Sequence, residues 1–365
     1  MIDFSKLNKI LYLPTLARSI QHYRINNYLK YMRQDTESTL ASFILPEVPE
    51  DYNSWELQID VPEVFSELED LVSKADLIIT QSIHTQKAIA FLYAVKHKYG
   101  TPIYAEFDDD PYSLSSQHPY FDKLSPGSQS ELWADDLIKF VDGIFVSTEY
   151  LKKKFIKHCS NIHVIPNGID FDVWDNLKKG KRDNKKLNIG WIGGGNHFED
   201  LEIIEKPIKR ILKDNKNVIF TLVIGNEIPF FFRNNPQIKT YDFDHWVDVE
   251  EYPQFMKSLN IDIGIAPLRD RLHNRAKSNL KWLEFSALKT PLVASPVEPY
   301  INTTALLAKN DDEWYTHLSN LIQNKRQRIK VAKESYKRVK KDFNVENISN
   351  DYLRIMKDII KENKK

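Results

Sequence analysis

The chain has 365 residues, enough for two domains of ordinary size, and its 42% apolar and 12% aromatic content exceeds that of a disordered chain. Fifty-one Lys and Arg offset fifty-one Asp and Glu, so the basic excess of a general nucleic-acid binder is missing and no nucleic-acid partner is expected. The single cysteine, Cys159, excludes an internal disulfide and a cysteine-based structural zinc site, which fits a reducing compartment.

The first fourteen residues surround four or five apolar positions with charges, unlike a signal peptide. No stretch reaches the roughly 18 apolar residues of a membrane span, and the longest, VIFTLVIG at 218–225, has the length of a buried strand. A cytoplasmic protein is expected.

In chain order, KILYL (9–13) reads as a strand followed by a helical pattern to about residue 33. ADLIIT (75–80) precedes the helix HTQKAIAFLYAVKHK, and TPIYAEF, DGIFVS and NIHVIP (161–166) continue the strands. After the charged break KKGKRDNKK (178–186) the alternation restarts with LNIGWIG (187–193), a helix near 198–213, NVIFTLVIG and IDIGIAP (261–267). A helix near 278–288 leads into PLVAS (291–295), and 321–365 reads as helix throughout. Apolar strands separated by helices predict two parallel α/β sheets covered on both faces, with right-handed crossovers. The expected division is 1–170, 186–325 and a helical tail, 326–365. Residues 321–365 carry a net charge of +8, whereas 47–76 hold ten acids against one lysine. The tail reads equally as solvated surface or as a contact for an anionic membrane.

Four segments carry candidate chemistry. In WIGGGNHFEDLEII (191–204), Gly193, Gly194 and Gly195 follow a strand and precede a helix, either as a phosphate-approaching turn with His197 nearby or as a tight turn capped by Asn196. In RLHNRAKSNLKWLEFSALKTPLVAS (271–295), Ser278 is the expected N-cap. Lys277 and Lys281 lie one turn apart there, opposing the helix dipole unless they share a bound polyanion. Glu284, on an otherwise apolar stretch, calls for a polar partner such as a sugar hydroxyl pair. The run Asp108, Asp109, Asp110 ends a strand and suits a metal, hydrogen bonding to an acceptor, or capping of its loop. IPNGID (165–170) is a turn near the domain boundary.

IPNGID, the glycine turn, KWLEFSALKTPLVAS and EYPQFMKSLNIDIGIAPL (251–268) together resemble retaining GT-B glycosyltransferases of the group 1 type. HYRINNYL (22–29) and FDDDPYSL resemble a bacterial and phage branch of them. The resemblance implies two Rossmann-like domains facing a cleft, with terminal helices crossing back to the N-domain. The donor, a nucleotide diphosphate sugar, would bind the C-domain through Gly193–Gly195, His197, Lys277, Ser278, Asn279, Leu280 and Glu284. Glu284 matches the family's ribose-binding glutamate, while Ala276 stands where its sugar-contacting glutamate would be. Lys277, Asp108 and Asp109 would be catalytic, and Arg24 and Asp110 would lie on the acceptor side. The implied reaction is hexosyl transfer, with retention and without a metal cofactor, to a saccharide, lipid-linked or polymer acceptor. The alternatives are a nucleotide-sugar epimerase and a non-catalytic nucleotide-sugar-binding relative.

Overall fold

A computed structural model describes residues 8–14, 18–32, 36–40, 62–81, 86–113, 127, 129–181, 186–194, 197–224, 228–242 and 249–364. Gly195, Asn196 and the acidic stretch 47–61 lie outside the described residues. The chain divides into two units, one of Met1–Gly168 with Val345–Lys365 and one of Ile169–Asn344.

The first unit is a parallel sheet of six strands: β1 (Asn8–Leu13), β2 (Thr36–Leu40), β3 (Leu77–Gln81), β4 (Ile103–Phe107), β5 (Gly143–Val146) and β6 (Ile162–Val164). Their order is β2-β1-β3-β4-β5-β6. Every residue of β3, β4 and β5 is buried, which is why these strands read as continuous apolar runs rather than alternations. The helix Val345–Asn363 lays Tyr352, Met356 and Ile360 on a core made by Ile10, Tyr12, Leu77, Ile79 and the helix Asn27–Met32. Tyr28 and Tyr352 meet edge to face at 5.7 Å.

The second unit repeats the plan with β7 (Leu187–Gly193), β8 (Val218–Ile224), β9 (Ile238–Asp242), β10 (Ile263–Ala266), β11 (Leu292–Ala294) and β12 (Leu306–Leu307). The order β12-β11-β10-β7-β8-β9 places the reversal of winding between β7 and β10. Alternate residues face two cores. Ile189, Trp191, Phe220 and Ile263 join one, and Ile192, Val223 and Ala266 join the other, beneath the helix Leu280–Ala287. That helix lies so close that a Cβ on Gly264 would stand 2.7 Å from the Phe285 ring. The glycine inside β10 is a packing requirement.

Two expectations need correction. The tail 326–365 does not go to the first unit as a whole. Lys325–Asp342 stays with the second, where Ser335 bonds Thr304 (2.6 Å), Val339 joins the core around Trp282, and Phe343 packs on the Trp282 ring at 5.6 Å. Only 345–365 belongs to the first unit. The division falls at Gly168–Ile169, inside the IPNGID turn and close to the expected end of the first domain at 170, and Ile169 pairs with Asn344 where the chain returns. Net charge marks where polar chain is tolerated, and says nothing of which apolar surface a helix meets. Second, the helix near 198–213 is two helices, Phe198–Glu202 and Glu205–Asp214.

Candidate functional site

In open parallel sheets, ligands bind beyond the strand ends where the winding reverses. In the second unit these are the ends of β7 and β10, and most donor-side candidates gather there. Gly193 ends β7. A Cβ on it would stand 2.7 Å from the Trp191 ring and 3.0 Å from Lys281 Nζ, so that lysine and indole occupy the space of a side chain. Gly194 follows, exposed. Lys281 reaches back from the Leu280–Ala287 helix, donates to the Ile192 carbonyl, and sits 5.1 Å from the centre of the Trp191 ring. Burial pulls its pKa down to about 8; Lys277 adds to the fall, while Glu284 and Asp200 oppose it.

Lys277 closes the short helix Leu272–Ala276 in an extended conformation, leading into the next helix. Ser278 is not the N-cap. Asn279 occupies that place with no side-chain hydrogen bond to the first turn, and its carbonyl accepts from the amides of Trp282 and Leu283. The helix therefore begins uncapped at Leu280, with Lys277, Ser278, Asn279 and Leu280 partly exposed. Glu284 is buried, and its carboxylate accepts from the Tyr252 hydroxyl at 3.3 Å. Ala276, where a glutamate would be expected, is fully buried.

His197 stands next to this group. Its Nδ1 is 2.8 Å from Asp200 Oδ2, and Asp200 Oδ1 accepts from the Arg269 amide (2.7 Å) and Asn274 Nδ2 (3.2 Å). Burial, with smaller contributions from Lys277 and Lys281, pushes the His197 pKa down to about 4, against the opposing bond to Asp200. Asp200, Trp191 and Tyr252 were not singled out as binding residues from sequence, whereas Lys281 was paired with Lys277 as a cation for a shared polyanion. For Asp200 a signal existed, an acid one helical turn from His197.

In the first unit the aspartate run divides three ways. Asp110 is buried, caps the following turn by accepting from the Tyr112 amide (3.0 Å), and pairs with Lys154 (3.0 Å). Its acceptor-side reading thus gives way to the capping one. Asp109 is exposed. Asp108 is half-buried, and its Oδ1 is sealed from solvent without a hydrogen-bond partner among the described residues. Burial pushes its pKa up to about 6, with Asp109 and Glu106 adding to the rise and Arg24 opposing it.

Arg24, expected to face an acceptor, is buried. Its Nε donates to Glu106 Oε1 (2.6 Å), and one terminal nitrogen serves the Ile165 carbonyl (2.6 Å) and Asn167 Oδ1 (2.8 Å). Gln81 serves the other Glu106 oxygen at 3.0 Å. The IPNGID turn is therefore anchored from inside, with Tyr28 adding a bond to the Pro166 carbonyl.

Residues 208–354 match the family described as glycosyl transferase-like. A Bacillus subtilis protein named as a teichuronic acid biosynthesis glycosyltransferase, TuaH, is 23% identical over 168 residues, 44% of this chain and 41% of that protein. The match thus spans less than half the length of that curated relative. Among solved structures, Anabaena HepE in complex with UDP and glucose superposes with a TM-score of 0.65 at 12% identity, covering 96% of this chain and all of the other. The fold is that of the GT-B glycosyltransferases. A Listeria monocytogenes protein named as a UDP-N-acetylglucosamine 2-epimerase also matches, with a TM-score of 0.57, 12% identity and coverage of 98% and 97%. GT-B architecture therefore leaves the chemistry to be argued from the site.

Proposed function

We propose that the protein is a glycosyltransferase that moves a hexosyl unit from a UDP-sugar to a saccharide, lipid-linked or polymer acceptor in polysaccharide biosynthesis, with retention of configuration. The observation that carries this is the gathering of Lys277, Lys281 and an uncapped helix start beyond β7, with buried Glu284 one turn further along. Two cations and a helix N-terminus suit a diphosphate, and a buried carboxylate suits the vicinal ribose hydroxyls. UDP and UDP-glucose, held in the HepE structures, and the name of TuaH favour transfer over epimerisation.

In this reading the bond from the sugar's anomeric carbon to the diphosphate oxygen breaks, and the acceptor oxygen bonds to that carbon on the same face. The acceptor proton passes to the departing diphosphate, so no protein nucleophile is needed. Lys277 and Lys281 stabilise the growing negative charge. Asp108 and Asp109, at the end of β4, orient the acceptor hydroxyl. No divalent ion is required, and chelator should leave turnover within a few-fold.

The basic tail 321–365 meets an anionic membrane surface in this reading. In the helix Lys325–Asp342, nine basic residues outnumber two acids. Arg326, Lys330, Lys333, Lys337 and Lys341 are exposed at helical spacing around Ile329, itself 57% exposed. Among the described residues no helix is long and apolar enough to cross a membrane, so contact would be peripheral. Sedimentation with anionic vesicles, absent with neutral ones and fading with salt, is the expected behaviour.

Incubation with a panel of nucleotide sugars tests the whole reading. Hydrolysis or transfer, with the product's anomeric configuration read by NMR, supports it. An isomerised sugar nucleotide would indicate an epimerase, and binding without turnover a non-catalytic relative.

A further inference from the structure

His197 has a role that neither the phosphate nor the ribose reading uses. Its imidazole is 14% exposed and is held through Nδ1 by Asp200, whose other oxygen is occupied by the Arg269 amide and Asn274. An ionised carboxylate only accepts, so Nδ1 carries the ring proton and Nε2 keeps a lone pair. That Nε2 reaches solvent and has no hydrogen-bond partner among the described residues. Around the ring stand Asp200, the Trp191 edge at 6.1 Å, and the charges of Lys277 and Lys281.

A ring kept neutral beside two ammonium groups adds no charge for a phosphate. It offers an acceptor, at fixed orientation, next to where the diphosphate would be held. The remaining chemistry of a sugar nucleotide at that point is the hydroxyls of its sugar.

We propose that His197 Nε2 accepts a hydrogen bond from one hydroxyl of the donor hexose, making it a specificity-determining residue, with Asp200 as its positioning residue. This rests on the proposed donor site in the second unit and adds the group that reads the sugar. Removing a buried polar partner leaves the other unpaired, which is how such sites discriminate between sugars.

Calorimetric titration of wild type, His197→Ala and Asp200→Asn with UDP, UDP-glucose and its singly deoxygenated analogues tests it. UDP affinity should stay within about twofold in both variants. UDP-glucose should bind about tenfold more weakly to His197→Ala. One deoxy analogue should cost the wild type a similar factor and cost His197→Ala almost nothing, which identifies the hydroxyl. Asp200→Asn, which frees the ring to carry its proton on Nε2, should lose the same discrimination while still binding UDP. Equal weakening of UDP and UDP-glucose in His197→Ala would overturn the assignment, as would the absence of any coupled analogue. A wild type that binds neither ligand would overturn the donor-site reading itself, and this assignment with it.

Discussion

Each unit carries a cluster of charged residues at or near its strand ends, and the two clusters differ in how completely they are used. In the first unit both Glu106 oxygens have donors, and Arg24 holds three partners. In the second, Lys281 leans on a carbonyl and an indole, His197 keeps an open nitrogen, and the helix start has no side-chain cap. A saturated buried network specifies structure, whereas a cluster with capacity to spare is suited to a ligand. Asp108 belongs with the second kind although it lies in the first unit, because one of its oxygens is unserved.

The largest effect should come from breaking the saturated network. Arg24→Met leaves Glu106 buried without its cation and should cost about 3–5 kcal/mol in denaturant unfolding. Unchanged stability with a raised acceptor Michaelis constant would restore Arg24 to the acceptor side and remove the contrast. In the open cluster, Lys277→Ala should spare stability and lower turnover about 10²–10³-fold, more than it weakens donor binding. Normal turnover with only a raised Michaelis constant would show uniform binding instead.

A smaller loss, about 1–3 kcal/mol of nucleotide affinity, is expected for Glu284→Gln by calorimetry, since a charged acceptor is replaced by a neutral one. Affinity that does not change would mean that Glu284 serves the fold and not a nucleotide. Donor affinity should also fall as pH rises through about 8, where Lys281 loses its proton, and Lys281→Met should remove that dependence.

The smallest effect contrasts the units by sign. Asp108 holds its proton more tightly when folded, with a pKa of about 6 against an ordinary 3.8, so its contribution to stability falls as pH rises from about 4 to 6. His197, at about 4 against 6.5, binds fewer protons folded than unfolded, so its contribution rises over the same range. Asp108→Asn and His197→Asn should change the pH slope of unfolding in opposite directions. Changes of the same sign would show that these two groups do not set the difference.

The buried strands were legible because full burial leaves an apolar run, as in β3 to β5. The edge strands β2, β9 and β12 were not, because TESTL and IKTYD lack such a run and β12 is only two residues long. Lys277 and Glu284 were legible because helical spacing and chain continuity put them on one short segment. Asp200, Tyr252 and Trp191 come from other segments, and only the sheet order brings them to the same strand ends.

By itself, then, the sequence determined the local matters: two α/β halves, the apolar strands, the helix beginning near 280 and the residue types around it. The tertiary structure decided which charges are occupied. Arg24 and Asp110 read as exposed chemistry because nothing local reveals Glu106 or Lys154 as their partners, 82 and 44 residues away. It likewise decided where the tail goes. The helix Lys325–Asp342 meets Trp282 and the next one meets Tyr12 and Tyr28, since a buried face is assigned by the surface that completes it rather than by its own composition.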